Sequence, residues 1–167
     1  MPARLTGRTA RRERRFVRTA GFFRALPPLV RAALPASLRS VSHRTRSSQA
    51  QWFYDDPRLH FEAWWHPNSG RLELGLHLEA ESALNERIAA GLARQLLMLK
   101  ARLGQQLDLE PWDRGWLRLY ETHPVEIFDK ARIQSTAARM AELITVVWPI
   151  CQELRKGGVK IRLAERE

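Results

Sequence analysis

Two segments in which apolar and polar residues alternate lie on either side of residues 67–70 (PNSG). In the second segment, RLELGLHLE, every even position from Leu72 to Leu78 is leucine and every odd position from Arg71 to Glu79 is polar or glycine. A period of two is typical of a strand with one buried face, and a Pro-Asn-Ser-Gly run is typical of a turn. The pattern therefore predicts a β-hairpin with strands at residues 59–66 and 71–79.

The length of this turn determines which residues face each other, because a four-residue loop pairs position 66 with position 71. One face of the hairpin then carries the pairs His60–His77, Glu62–Gly75, Trp64–Glu73 and His66–Arg71. The other face is wholly apolar and carries Leu59, Phe61, Ala63, Trp65, Leu72, Leu74, Leu76 and Leu78. We therefore expect the leucine face to be buried and the histidine face to be open to solvent.

Two longer segments have the 3.6-residue period of amphipathic helices. The first begins at Ser82, which we expect to be the N-cap, and ends near Gly104. Its apolar stripe is Leu84, Ile88, Leu92, Leu96, Leu99 and Leu103. The second covers residues 131–156, and we expect a kink at Pro149 because proline lacks the backbone donor and clashes with the preceding turn.

Between these helices, residues 115–121 (GWLRLYE) alternate again and predict a third strand. Leu117 and Leu119 lie on one side of it, and Trp116, Arg118 and Tyr120 on the other. Residues 159–163 (VKIRL) can add a short final strand. The order β-β-α-β-α indicates an α+β fold of two layers, in which a mainly antiparallel sheet has two long helices packed on one face.

The positive charge is concentrated at the N-terminus. Residues 1–50 hold 12 of the 28 Lys and Arg residues but only one of the 18 Asp and Glu residues. We therefore predict a disordered, arginine-rich arm at residues 1–47 and a single α+β domain at residues 48–167. The alternatives left open are an organellar targeting segment, a membrane-surface helix, and a stretch upstream of the true start codon. As a functional arm it would bind anions such as nucleic acid through Arg11, Arg12, Arg14, Arg15 and Arg18.

The single cysteine, Cys151, excludes an intramolecular disulfide, and its helical spacing with Ile144, Val147 and Leu154 predicts a buried packing residue. A chain without disulfides fits a reducing compartment, so we expect a cytoplasmic protein. No apolar run reaches the 18 residues that a transmembrane helix needs.

The predicted open face carries an unusual combination of aromatic and charged residues for a surface in contact with water. The candidate partner-binding residues are Trp64, Trp116, Arg118, Tyr120, Glu62 and Glu73. Clustered aromatics with an arginine are typical of interface cores. The sequence therefore favours binding through this face, either to a second copy of the chain or to another protein.

Two further hypotheses use the same sequence features. His60 and His77, opposite each other, can bind a divalent metal ion together with Glu62 or Glu79, which lie two residues away on the same face. Nucleic-acid binding through the arginine arm is the other alternative, although glutamates on the open face would repel phosphates. The sequence has no phosphate loop, dinucleotide fingerprint or nucleophile elbow, so we favour binding over catalysis and predict no cofactor.

Overall fold

The computed structural model of the protein describes residues 17–157. These residues form a six-stranded, fully antiparallel sheet in the order β1-β2-β3-β4-β6-β5. The strands are β1 (Ser42–Thr45), β2 (Gln49–Phe53), β3 (Leu59–His66), β4 (Arg71–Leu78), β5 (Asp108–Pro111) and β6 (Leu117–Pro124). The helices are α1 (Thr19–Ala33), α2 (Ser82–Arg94), α3 (Leu96–Leu103) and α4 (Lys130–Arg155). The architecture is the predicted two-layer α+β fold.

The central hairpin has the predicted register. His66 pairs with Arg71, His60 with His77, and Trp65 with Leu72, as a four-residue loop requires. The third predicted strand is β6, which pairs with β4 along its whole length and places Arg118 beside His77. The alternation along all three strands therefore separates one apolar face from one polar face.

The helices cover the apolar face. Both α1 and α2 contact α4, and α4 contacts β3 and β4 in the middle of the sheet. The core between these layers contains large side chains that are almost completely buried, including Trp52, Phe61, Leu74, Leu76, Met140 and Trp148. Cys151 is buried in the same core, as its helical spacing predicted.

The first predicted helix is interrupted. The chain leaves helical geometry at Gln95, which ends α2 and precedes α3. Glu81, and not Ser82, is the N-cap of α2, since Ser82 is already the first helical residue. Gly104 follows α3 with a φ of 116°, a conformation that favours glycine. The second predicted helix corresponds to α4, which continues through Pro149.

The prediction of a disordered arm is wrong for residues 17–47. Residues 19–33 form α1, whose Phe22, Phe23, Leu26 and Val30 are fully buried, and β1 forms an edge of the sheet. Proline inside a helix costs about 3 kcal/mol, and α1 contains two, Pro27 and Pro28. Burial of four large apolar side chains contributes about 2 kcal/mol each, which exceeds that cost. Residues 1–16 and the predicted final strand at 159–163 lie outside the described residues.

Candidate functional site

The candidate site lies on the polar side of the sheet, which we call the open face because α1 to α4 all pack on the other side. Antiparallel pairing arranges its residues in rows across the strands. One row contains Phe53, His60, His77, Arg118 and Glu110. The next row contains Arg44, Gln51, Glu62, Gly75, Tyr120 and Asp108. Residues that are far apart in the sequence are therefore immediate neighbours in these rows.

Gly75 allows the strands to approach closely in the centre of the face. A Cβ atom at this position would lie 2.7 Å from the Cα of Tyr120 and would also clash with the carbonyl oxygen of Leu119. Both obstacles are in the neighbouring strand β6, so they cannot move without changing the sheet. A residue without a side chain is therefore required here.

The polar residues at the centre of the open face are buried, contrary to the prediction that they meet solvent. The exposed fractions are 0% for His60, 1% for His77, 2% for Glu73 and 4% for Glu62. Burying such groups is costly unless they are paired. Two hydrogen-bond networks satisfy nearly all of their polar atoms.

Glu73 is the centre of the first network. Its Oε1 accepts a hydrogen bond from Nε2 of His77 at 2.9 Å, and its Oε2 accepts from Arg118 at 2.8 Å and from His66 at 3.1 Å. Burial alone would raise the pKa of Glu73, but these three donors outweigh it and lower the pKa. Arg118 also donates to Glu110, so two carboxylates hold its guanidinium.

Glu62 belongs to a second network on the same face. The Gln51 amide donates to Glu62 and its oxygen accepts from Arg44. Nε2 of His60 lies 3.1 Å from the Gln51 nitrogen and 3.2 Å from Glu62 Oε2. The other nitrogen of His60, Nδ1, lies 2.9 Å from the carbonyl oxygen of Pro57 and donates to it.

The two networks meet where the rings of His60 and His77 stack at a centroid distance of 5.5 Å. Nδ1 of His77 is buried and has no hydrogen-bond partner among the described residues. The nearest carboxylate oxygen is Glu79 Oε1 at 3.5 Å, which is an ion-pair contact and too long for a hydrogen bond. Burial lowers the pKa of His77, but Glu73 and Glu79 reverse this effect and raise it to about 9.

Aromatic residues lie at the surface above this polar layer. Trp112, in the turn between β5 and β6, contacts Trp64 edge-on at 5.8 Å and lies 6.5 Å from Trp116. We call these three residues the tryptophan cluster; Trp112 is 37% exposed, and the other two are partly buried. The guanidinium of Arg118 stacks over Tyr120 at 4.0 Å and over Trp112 at 5.3 Å. The charged network below therefore holds the aromatic layer in place.

Some of the predicted site residues lie where we expected them, and others do not. Trp64, Trp116, Arg118 and Tyr120 share the partly exposed open face, as expected. Glu62 and Glu73 are buried, and so they cannot contact a partner directly as we expected.

For the metal hypothesis, the structure brings His60 and His77 together with Glu79, whereas Glu62 accepts a hydrogen bond from Gln51. In the arm, Arg18 is the exposed N-cap of α1, and Arg11, Arg12, Arg14 and Arg15 lie outside the described residues.

Three important residues of the site were not predicted. Trp112 and Glu110 belong to the β5–β6 hairpin, and Gln51 lies on β2. A signal for the hairpin was present in WDRGW, since Gly115 adopts the positive φ of 80° that a tight turn needs. The alternation of Gln49 to Phe53 was also visible, but it is too short to be distinguished from a loop without its partner strand.

A second buried ion pair lies on the helix side of the sheet. Glu121 on β6 is completely buried and accepts hydrogen bonds from Arg139 on α4 and from His123. Burial raises the pKa of Glu121, but these donors outweigh it and lower the pKa to about 2. Because both Arg139 and Glu121 belong to elements of the core, this pair joins α4 to the sheet and has a structural role.

Comparisons with protein families, with curated proteins and with solved structures gave no significant match. Function must therefore be inferred from the open face itself. Among residues 17–157, no helix combines the length and the apolar character that crossing a membrane requires.

Proposed function

We propose that the protein acts by binding, and that a second copy of the chain docks on the open face through the tryptophan cluster and Tyr120. The observation that carries this proposal is the contact between Trp64, Trp112 and Trp116 on a sheet face that α1 to α4 leave uncovered. Single exposed aromatics are ordinary, but contiguous ones mark interaction surfaces. Tryptophan, tyrosine and arginine are also the residues that dominate binding energy at interfaces.

Two of the aromatic residues, Tyr120 and Trp112, pack against an arginine that is itself held by two carboxylates. Arg118 is fixed by Glu73 and Glu110, and it stacks on both Tyr120 and Trp112. A surface whose side chains are already ordered loses little conformational entropy on association. This pre-organisation supports a binding role for the open face.

The distribution of charge supports a second copy as the occupant. The β1 edge carries the exposed Arg44 and Arg46, and the β5 edge carries Asp108 and Glu110, whose side chains are 63% and 42% exposed. A two-fold axis parallel to the strands would place β1 of one copy over β5 of the other. Basic and acidic residues would then face each other twice in one dimer, at the rim of the aromatic contact.

Nucleic acid fits this surface less well. Glu79, Asp108 and Glu110 keep part of their carboxylate surface in solvent on the same face, and they would repel a phosphate backbone. Binding of nucleic acid through the arginine arm is the alternative function, and it stays a prediction because residues 1–16 lie outside the described residues.

The solution mass of the full chain, measured by size-exclusion chromatography with light scattering at moderate salt, tests the proposal. We expect a dimer for the wild type and a folded monomer for Trp112→Ala, because this tryptophan is the most exposed member of the cluster. Leu97→Ala is the matched control, since Leu97 is 86% exposed on α3, on the helix side.

Two outcomes would contradict the proposed dimer. A wild-type protein that stays monomeric at high micromolar concentration excludes self-association. A dimer that dissociates with Leu97→Ala but not with Trp112→Ala places the interface on the helices.

A further inference from the structure

The stacked histidines of the open face, together with Glu79, have the geometry of metal ligands. One nitrogen from each of His60 and His77 and one carboxylate oxygen of Glu79 lie within 4.8 Å of one another. Tetrahedral ligands about 2.1 Å from a zinc ion lie roughly 3.4 Å apart. Ligand atoms at the 4.8 Å limit would have to come about 1.4 Å closer, by rotation of their side chains, to complete such a site.

A second and independent observation points to a ligand at the same place. Nδ1 of His77 is buried, has no hydrogen-bond partner among the described residues, and faces Glu79 Oε1 at 3.5 Å. Buried polar atoms are satisfied in the great majority of cases, and an exception needs an explanation. A cation between this nitrogen and the carboxylate of Glu79 would satisfy both groups.

The remaining nitrogen of each histidine is positioned by a carboxylate. Nε2 of His77 donates to Glu73 Oε1 at 2.9 Å, so Nδ1 is the nitrogen that an ion would bind, in place of the proton it carries when His77 is charged. Nε2 of His60 lies 3.2 Å from Glu62 Oε2, and Nδ1 donates to Pro57 when no metal is bound. Metal binding through Nδ1 would move the proton to Nε2, which then donates to Glu62, and would replace the hydrogen bond to Pro57 with the bond to the ion. Carboxylates that hold the second nitrogen are the usual support of metal-binding histidines, because they fix the tautomer and the ring orientation.

We propose that His60, His77 and Glu79 bind one divalent transition-metal ion of the zinc type, with Glu62 and Glu73 as positioning residues. Two imidazoles and one carboxylate suit Zn²⁺ and its neighbours in the first row and are a poor set for Mg²⁺ or Ca²⁺, which prefer oxygen. Three protein ligands leave a fourth position for water or for a ligand from solution. Trp112 lies edge-on to His77 at 6.0 Å and forms part of an apolar cover over the site.

This inference does not depend on the proposed dimer, since all three ligands belong to one chain. It differs from the sequence-based hypothesis in its third ligand. Glu62 already accepts a hydrogen bond from Gln51 and lies against His60, whereas Glu79 is partly exposed and lies beside the free nitrogen of His77.

The experiment is a titration of the untagged full chain with Co²⁺ after the protein has been stripped with a chelator. Cobalt is used because its visible absorption reports the coordination number. We expect saturation at one equivalent, with the intense bands of a four- or five-coordinate ion, and displacement of Co²⁺ by Zn²⁺. Wild-type protein that shows no such bands at about 100 µM, a concentration where weak structural sites still fill, would overturn the proposal.

Variants identify the ligands. Glu79→Gln should weaken Co²⁺ binding at least about tenfold, and its partial exposure makes loss of the fold a small risk. Glu81→Gln is the matched control, because Glu81 is an exposed glutamate two residues further along and should leave the affinity unchanged. His77→Ala should abolish the bands; where circular dichroism shows that this buried variant is unfolded, the Glu79 and Glu81 pair decides. Equal affinity in Glu79→Gln and wild type would overturn the proposal.

Discussion

Carboxylates are buried on both sides of this sheet, and each is compensated by a specific set of donors. Glu73 on the open face is held by His66, His77 and Arg118, and Glu121 on the helix side by Arg139 and His123. An uncompensated buried charge would cost several kcal/mol. The two clusters differ in one respect: among the described residues, every buried polar side-chain atom of the Glu121 cluster is paired, whereas the open face retains the unpaired Nδ1 of His77.

The Glu121 cluster predicts a pH dependence of stability. The pKa of Glu121 is lowered in the folded state to about 2, from its ordinary value of 4.5. A depressed pKa contributes stability above the unfolded value, and this contribution is lost as the pH falls through 4.5 toward 2. The contribution is about 3 kcal/mol at pH 7. Denaturant unfolding should therefore show that Glu121→Gln is markedly less stable than wild type at pH 7, and that the gap closes near pH 2.

Glu142→Gln is the control for this measurement, because Glu142 also accepts from Arg139 but is half exposed. It should cost less than about 1 kcal/mol at every pH. If the stability gap between Glu121→Gln and wild type does not change with pH, then the charged and the protonated carboxyl of Glu121 stabilise the fold equally. That result would contradict this interpretation.

Adding a single Cβ atom at position 75 should produce a steric clash with the neighbouring strand. Gly75→Ala should lower the free energy of unfolding by about 3 kcal/mol, because the new Cβ meets the backbone of β6 and not a flexible side chain. Gly21→Ala is the opposite control: its Cβ meets only Cγ1 of Val17 at 3.1 Å, and alanine in a helix is better than glycine by about 0.5–1 kcal/mol. Chemical denaturation of both variants would test this, and a stable Gly75→Ala protein would contradict the close approach of β4 and β6.

At the scale of elements, the sequence predicted what depends on local period and turn length. The β3–β4 hairpin and its register follow from alternation and a four-residue loop, and β6 and α4 follow from their periods. The faces of Trp64, Trp116, Arg118 and Tyr120 could be assigned for the same reason. No side-chain contact had to be known for these predictions.

The missed features depend on partners that are distant in the sequence. Alternation cannot show that the open face buries its centre, because the residues that cover it include Trp112 on a separate hairpin. The break between α2 and α3 at Gln95 was missed because no glycine or proline at that position indicates it. The charge and composition of residues 1–47 also predicted the wrong result for α1, where burial of one apolar face stabilises a helix that contains two prolines.

Because α1 packs into the core, substitutions on its buried face should destabilise the domain. Phe22→Ala should destabilise the protein by about 3–5 kcal/mol, since Phe22 is fully buried against Phe23 and Phe128. Arg24→Ala, on the exposed side of the same helix, should change the free energy of unfolding by less than about 0.5 kcal/mol. If the two variants are equally stable in thermal or urea unfolding, then α1 does not belong to the folded domain, as the sequence had predicted.

At the scale of the whole molecule, the two edges of the sheet carry opposite charge. The sheet order puts β1 with Arg44 at one end and β5 with Asp108 at the other. Both edge strands are four residues long, and β5 ends in Pro111, which limits uncontrolled strand addition at the edges. The edges are therefore suited to contribute charge, and not backbone pairing, to an assembly.

This asymmetry predicts the outcome of a charge exchange in the proposed dimer. Arg44→Glu and Asp108→Arg should each weaken the dimer about two- to fivefold, because each places like charges opposite each other at the rim. The double variant should regain most of the wild-type affinity, since β1 of one copy would again face an opposite charge on β5 of the other. Dissociation constants from dilution experiments at low salt measure this; losses that simply multiply in the double variant would exclude the proposed orientation.

The pairing of α1 with α4 has a consequence for synthesis of the chain. The ribosome makes α1 first, and its main helical partner only after residues 34–129 have been added. At ordinary elongation rates this delay lasts roughly 5–20 s, during which Phe22, Phe23 and Leu26 have no α4 to cover them. The nascent protein is therefore most vulnerable to aggregation and proteolysis before translation ends, and a messenger truncated ahead of α4 would yield a product that requires a chaperone or a protease.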